Sequence, residues 1–139
     1  MDQIKVIRQH LVDADGVSGV LSASWRAFEF VRAVTGASAG QAADMYPAFT
    51  FARGAAVTGR NAIAFAPSMP AGQATLFERQ APLAGDVYEV AGALADLASA
   101  LSTRLQEAAG LADDTGDRAA CENAAQDADR INELLNKGE

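Results

Sequence analysis

The sequence predicts an all-α fold: an antiparallel bundle of four main helices, preceded by a short N-terminal helix. Three observations carry this prediction. Alanine, the strongest helix former, is frequent over the whole 139-residue chain. The four prolines, which break helices, all lie between Pro47 and Pro82. Elsewhere apolar residues recur at spacings of three and four, the period of a helix with one buried face.

The first helix is predicted over 2–14 and the second over about 17–35, where a glycine-rich segment follows. Apolar side chains wrap almost the whole circumference of the second helix. It is therefore either central in its bundle or also buried against a partner. A narrow polar strip contains Ser22, Arg26, Glu29 and Arg32. We expect Glu29 to pair with Arg26 and Arg32, because residues three apart are neighbours on a helix.

The third helix is predicted over about 40–66. Pro47 either kinks this helix or starts a new one, since proline suits the first turn but not the interior. One face is expected to pack, and it is built mostly of small residues: Phe49, Ala52, Ala56, Gly59, Ile63 and Ala66. Small side chains on that face would let another backbone approach closely.

One long irregular loop is predicted near 67–82, where three of the four prolines lie. Loops of this length are uncommon in compact domains and are often functional. We expect Leu76 and Phe77 to dock on the bundle. The alternative is a β-hairpin in which 61–66 pairs with 73–79, because apolar residues alternate with alanine in the first of these segments.

Two long helices are predicted over 84–110 and 117–136, with Asp114 or Thr115 as the N-cap of the second. The apolar stripe of the first consists of Val87, Val90, Leu94, Leu97, Leu101, Leu105 and Ala108. The stripe of the second consists of Cys121, Ala124, Ala128, Ile131 and Leu135. These spacings of three and four are typical of helices paired in a hairpin or bundle.

A single helical domain is predicted over 1–139, although the two parts of the chain differ in composition. Seven of the nine aromatic residues precede residue 70. Residues 1–70 carry a net charge of +1 and residues 71–139 a net charge of −8, which gives the chain −7. No flexible linker separates the two parts, so we interpret the change near residue 70 as a loop within one bundle.

Charge and hydropathy disfavour several classes of partner. The basic residues are scattered, which disfavours binding to nucleic acid or to an anionic membrane surface. No stretch has the length and apolar character of a membrane span, and the N-terminus lacks the apolar core of a signal peptide. Cys121 is the only cysteine, which excludes an internal disulfide. We expect a cytoplasmic location, with export that needs no N-terminal signal as the alternative.

No catalytic, cofactor or metal site is predicted. His10 and Cys121 are the only residues of their kinds, and we interpret them as a partly exposed structural histidine and a core cysteine. Asp86 and Glu89 are spaced as a possible acid–base pair, but acids in a first helical turn are also favoured by the helix dipole. The acidic segment 113–117 departs from the ligand spacing of a calcium loop, which favours a helix cap.

One group of residues has the composition of an interaction surface. Arginine, methionine and aromatic side chains are enriched at protein interfaces. The third helix and the loop after it offer such residues close together in sequence, and the second helix adds a tryptophan. The candidate interaction surface comprises Trp25, Arg53, Arg60, Asn61, Met69, Phe77 and Arg79.

Three hypotheses for function follow. The first is a non-enzymatic interaction or assembly protein, expected to form a homodimer through its aromatic second and third helices. The second is a small-ligand-binding protein or enzyme with a pocket between those two helices, bordered by 67–82. The third is an acidic partner or inhibitor whose C-terminal helices dock on a basic surface of another protein.

Overall fold

The computed structural model describes residues 2–70, 83 and 85–136. These residues form five α-helices, and no strand occurs among them. The helices are α1 (Asp2–Asp13), α2 (Gly16–Ser38), α3 (Tyr46–Ala64), α4 (Val87–Leu111) and α5 (Thr115–Asn136). The all-α prediction is thus confirmed for this part of the chain.

The helix contacts are those of a bundle. The two helices α2 and α5 each pack on both α3 and α4, while α1 lies against α2 and α4. One hydrophobic cluster includes side chains from all five helices. Its bulk comes from three fully buried phenylalanines, Phe28 and Phe30 of α2 and Phe49 of α3. The predicted stripe of α5 is buried, and so is that of α4 apart from the half-buried Val87.

α2 contacts three other helices, α1, α3 and α4. The apolar residues around α2 therefore pack against other helices of the same chain. The helix continues through Gly36 to Ser38, so the predicted end near residue 35 is wrong. Thr35 and Ser38 are buried, and Thr35 Oγ1 donates to the Val31 carbonyl at 2.6 Å. This packing offsets the roughly 1 kcal/mol that glycine costs inside a helix.

α3 begins at Tyr46, with Pro47 in its first turn. The predicted start at residue 40 is wrong, and the alternative that Pro47 opens the helix is confirmed. Turns occupy most of residues 39–45. Residues 61–64 are helical, so the hairpin alternative is wrong. The expected docking of Leu76 and Phe77, like most of the predicted loop, lies outside the described residues.

An arginine of α4 fastens α1 to the bundle. Arg104 Nε donates to the Leu11 carbonyl at 2.9 Å, and the same guanidinium also donates to the Ala14 carbonyl. Carbonyls at a helix C-terminus have no partner within the helix and favour a nearby cation. Arg104 thus holds the C-terminal end of α1 and the turn into α2 against α4.

Asp114 is the N-cap of α5, which decides between the two predicted caps. Its Oδ1 accepts from the backbone N–H of Gly116 at 2.7 Å and of Asp117 at 3.2 Å. Such bonds satisfy N–H groups that have no partner inside the helix. The acidic segment 113–117 therefore acts locally as a helix start.

Candidate functional site

A buried carboxylate joins α2 to α3. The Glu29 side chain is 0% exposed and bonds two arginines. Arg32 donates from Nε and Nη2 to the two carboxylate oxygens at 3.2 and 3.1 Å. Arg60 of α3 donates from Nη1 to Oε1. A buried carboxylate needs such charged partners, because leaving it unpaired would cost several kcal/mol.

The pKa of Glu29 reflects two opposing influences. Burial is the largest single influence and raises it, because the charged form loses water. Hydrogen bonds and positive charge from Arg32 and Arg60 together outweigh burial, so the pKa of Glu29 lies below its ordinary value of 4.5. The carboxylate is therefore ionised at neutral pH.

The pairing expected for Glu29 is partly wrong. Arg32 pairs with it as predicted, but Arg26 donates instead to His10 Nδ1 at 3.0 Å. The second partner is Arg60, which lies 31 residues away in sequence. Helical spacing reveals neighbours on one helix only, so it could not identify a partner on α3.

Arg60 also holds Asn61, and the structure thus brings together two residues of the predicted surface. Its Nε and Nη2 lie 3.4 and 3.3 Å from Asn61 Oδ1 and donate to it. The Arg60 guanidinium therefore donates hydrogen bonds both to the buried Glu29 carboxylate and to the exposed Asn61 amide. Arg60 is therefore not an isolated surface cation, since it forms a salt bridge with the carboxylate of Glu29.

The side of α3 turned away from the core carries an uncharged stripe. We call it the outer face of α3, and it consists of Phe51, Gly54, Thr58, Asn61 and Phe65. All five residues are exposed. The Phe51 side chain is 59% exposed and Phe65, directly after the last helical residue, is 94% exposed. Large apolar side chains with this exposure mark interaction sites when they share one surface.

The end of the outer face is fixed by a link to α5. Ser68 donates to Asp117 from its backbone N–H at 2.8 Å and from its hydroxyl at 2.6 Å. Asp117 is buried, with 3% of its surface exposed. Because Ser68 lies only three residues after Phe65, this link holds the segment that presents the exposed phenylalanine.

A cleft opens between the C-terminal part of α2 and the first turns of α3. Its volume is about 540 Å³, and its described lining includes Arg32, Thr35, Tyr46, Thr50 and Arg53. The rest of the described lining is alanine and glycine. Arg53, a residue of the predicted surface, thus lies in a concave site between the two aromatic helices.

The other predicted surface residues are placed differently. Trp25 is only 9% exposed and belongs to the core cluster. Met69 is half-buried and packs against the same cluster. Phe77 and Arg79 lie outside the described residues.

Phe51 and Phe65 were not among the predicted surface residues, although the sequence contains a signal for them. Phe51 comes two residues after the buried Phe49, and Phe65 comes two residues after the buried Ile63. Residues two apart on a helix point in very different directions. On a helix with one packed face, aromatic residues at those positions therefore point away from that face.

Cys121 is fully buried, as its position in the α5 stripe predicts. Burial, followed by the charges of Asp117 and Glu122, raises the pKa of Cys121 to about 11. We expect its reaction with a disulfide reagent at pH 8 to be about 100-fold or more slower in the native chain than in urea, since the thiolate is the reactive form. Absorbance of the released thiolate measures both rates, and equal rates would show that the thiol is accessible.

Two further statements hold for the described residues. No helix there has the length and apolar composition needed to cross a membrane. No group of three or more His, Cys, Asp or Glu side chains is arranged there to hold a metal ion. His10 is exposed, and Asp86 serves as the N-cap of α4 by accepting from Tyr88 N–H at 2.7 Å.

Comparison with known proteins gives no relative from which to transfer a function. No family model, no curated protein and no solved structure matches the chain. The outer face of α3 and the cleft beside it are therefore interpreted from their own geometry and chemistry.

Proposed function

We propose that the chain is a non-enzymatic assembly protein that forms a homodimer through the outer face of α3. The observation that carries this proposal is an exposed, uncharged stripe with Phe51 and Phe65 at its two ends, on a chain of net charge −7. Charged residues are depleted at the centres of interfaces, whereas aromatic residues are enriched there. The proposal keeps α3 as the interacting helix but not the buried Trp25 of α2.

The stripe is spaced symmetrically, which favours a second copy as the partner. Phe51 and Phe65 lie seven residues before and after Thr58, or about 10 Å each way along a helix. If two α3 helices pair antiparallel with a two-fold axis at Thr58, Phe51 of each protomer meets Phe65 of the other. The same patch then serves both protomers, as in the commonest type of dimer.

The middle of the stripe permits close contact between two helices. A Cβ atom built at Gly54 has nothing within 4 Å, so this position is open to an approaching surface. The Thr58 hydroxyl already donates to the Gly54 carbonyl at 3.0 Å and needs no other acceptor. Small residues between two large aromatic ones suit a helix crossing in which each phenylalanine fills space beside the partner helix.

The arginines of α3 do not oppose this pairing. Arg60 forms a salt bridge with Glu29, which also pairs with Arg32, and Arg53 lies in the cleft towards α2. Two α3 helices can therefore approach without placing unpaired like charges opposite each other. Like charges buried together would otherwise weaken an interface by several kcal/mol.

Phe65→Ser is expected to weaken the dimer about 100-fold. Burying a phenylalanine contributes about 1.5 kcal/mol or more, and a symmetric dimer loses two of them, so roughly 3 kcal/mol disappears. Sedimentation equilibrium over a concentration series gives both dissociation constants. Leu111→Ser is the matched control, because Leu111 is 70% exposed at the end of α4 and is not one of the outer-face residues.

Three results would count against the proposal. The wild-type chain would remain monomeric at high micromolar concentration, or Phe65→Ser would leave the dissociation constant unchanged. Equal weakening by Leu111→Ser would show that any exposed apolar residue contributes and that the outer face is not special.

We also infer that the helices in contact with each other among α2 to α5 run antiparallel. Several bonds support this orientation by joining the end of one helix to the start of another. Ser68, after α3, bonds Asp117 in the first turn of α5. Asp44, in the turn after α2, accepts from the Tyr88 hydroxyl at the start of α4. Asn132, late in α5, donates to the Ala95 carbonyl in the first half of α4 at 2.8 Å.

The cytoplasm remains our proposed location. The fold uses no disulfide, and its single cysteine is buried as a free thiol. Both properties suit a reducing compartment.

A further inference from the structure

The cleft between α2 and α3 concentrates positive charge on an acidic chain. Arg32 and Arg53 both line it, and none of its described lining residues is acidic. The chain as a whole carries −7. The volume of the cleft, about 540 Å³, lies within the usual range for small-molecule sites. Charge of one sign in a concave site attracts ligands of the opposite sign.

Arg53 lies along the wall of the cleft because α2 has no side chain at the point of contact. A Cβ atom built at Gly36 would lie 3.2 Å from Arg53 Nε and 3.5 Å from its Cδ. No acid of the described residues forms a salt bridge with Arg53. Its guanidinium therefore offers donors within the cleft, whereas Glu29 fixes the position of Arg32 beside it.

The start of α3 adds further donors at the rim. Tyr46, the first residue of the helix, lines the cleft, and no side chain caps this helix end. The N-terminus of a helix carries a partial positive charge, which favours anions. The backbone adds few donors here, because the Tyr46 N–H bonds the Ala43 carbonyl and Pro47 has no N–H. The exposed Thr50 hydroxyl lies one turn further on. The Tyr46 ring, 55% exposed, offers an apolar surface next to these polar groups.

We propose that this cleft binds a small phosphate monoester, a site and ligand class separate from the self-association described above. The phosphate group lies between Arg32 and Arg53, which suits a dianion better than a single carboxylate. The organic part lies against Tyr46 and the alanine–glycine floor. Binding involves no covalent step.

Phenyl phosphate is the probe that tests this proposal. It is titrated into the ¹⁵N-labelled 139-residue chain at constant ionic strength, and amide shifts are followed by NMR. We expect saturable shifts centred on residues 32–40 and 46–53. Benzoate, a monoanion with the same ring, is expected to bind at least tenfold more weakly.

Variants assign the binding to the cleft. Arg53→Gln is expected to weaken phenyl phosphate binding about tenfold or more, since it removes charge-assisted hydrogen bonds. Arg130→Gln is the matched control, because it removes the same charge from an exposed position on α5. The titration is repeated with Phe65→Ser, so that binding is measured whether or not the dimer forms.

Several outcomes would overturn the proposal. Shifts that do not saturate, or that spread evenly over the surface, would indicate weak attraction to many cations. Equal binding of benzoate would contradict the dianion assignment. Equal losses of phenyl phosphate affinity with Arg53→Gln and Arg130→Gln would show that binding does not depend on the cleft. Unchanged binding with a lower melting temperature for Arg53→Gln would mean that Arg53 only stabilises the end of α2.

Discussion

Gly59→Ala is expected to lower the free energy of unfolding by about 2–3 kcal/mol, the upper part of the usual range for overfilling a packed core. A Cβ atom at Gly59 would lie 2.4 Å from Phe28 Cε1 and 2.5 Å from Cζ. Phe28 is fully buried, so its ring has little room to move. The two helices α2 and α3 must separate locally, which costs contacts on both. Urea unfolding at several protein concentrations measures the change.

Gly54→Ala provides the matched control, because it makes the same substitution on the same helix. A Cβ atom at Gly54 meets nothing within 4 Å in its own chain, so in the monomer only the better helix propensity of alanine remains. We expect the free energy of unfolding to rise by about 0.5–1 kcal/mol. Phe28→Leu replaces the ring by a smaller side chain. In the Gly59→Ala background, this second substitution is expected to recover part of the lost free energy of unfolding. A neutral Gly59→Ala would contradict the close approach of α2 and α3.

The second large effect is expected for Glu29→Gln. The amide keeps the shape of the side chain but removes the charge that Arg32 and Arg60 share. Breaking a buried ion pair on one side costs about 3–5 kcal/mol when the remaining charge is fully buried. The Arg32 and Arg60 side chains are 17% and 26% exposed, so we expect about 3 kcal/mol, at the lower end. Urea unfolding at pH 7 measures this loss.

Glu107→Gln is the control for position. Glu107 pairs with Arg104 at 3.1 Å and the same helical spacing as Glu29 and Arg32, but its side chain is 53% exposed. Exposed pairs contribute only about 0.2–1 kcal/mol, so the change is expected to be small. Similar effects of the two substitutions would contradict the structural role assigned to the buried carboxylate.

The effect of Glu29→Gln is also expected to depend on pH. The pKa of Glu29 is lowered in the folded chain, so its ionised form contributes stability that is present above about 4.5. That contribution is lost as the pH falls from 4.5 through the lower folded pKa. The difference between wild type and Glu29→Gln is therefore expected to shrink below pH 4.5. A difference that stays constant down to pH 2 would contradict this assignment.

Regular spacing explains which parts of the fold could be predicted from the sequence. The packed face of α3, from Phe49 to Ala66, is buried as its period of three to four residues indicates. The stripes of α4 and α5 follow the same rule. These predictions depend only on the helical period, which is a local property of the sequence.

The errors arise where contacts between helices decide the structure. Gly36 lies within α2 because buried neighbours hold that turn in the helix. Glu29 is buried because Arg60 reaches it from another helix. The cleft could not be predicted for the same reason, since it requires the relative positions of Arg32 and Arg53 on two helices. Sequence spacing contains no direct information on such pairs.

The exposed phenylalanines illustrate a different limit. The period of α3 places Phe51 and Phe65 away from the packed face, but a general preference for burying aromatic residues points the other way. Their exposure in the structure decides between these two arguments. It also moves the centre of the proposed interface from Trp25 to the outer face of α3.

Disulfide trapping of Thr58→Cys tests the antiparallel α3 pairing most directly. Thr58 lies on the proposed two-fold axis, so the introduced thiols of two protomers face each other. Thr103→Cys is the matched control, since Thr103 is also exposed and also donates to the carbonyl four residues earlier, at 3.1 Å. The native Cys121 is buried and stays in both variants. Under mild oxidation at micromolar concentration, we expect a disulfide-linked dimer from Thr58→Cys and mostly monomer from Thr103→Cys. Equal trapping of both variants, or no trapping of Thr58→Cys, would contradict the proposed interface.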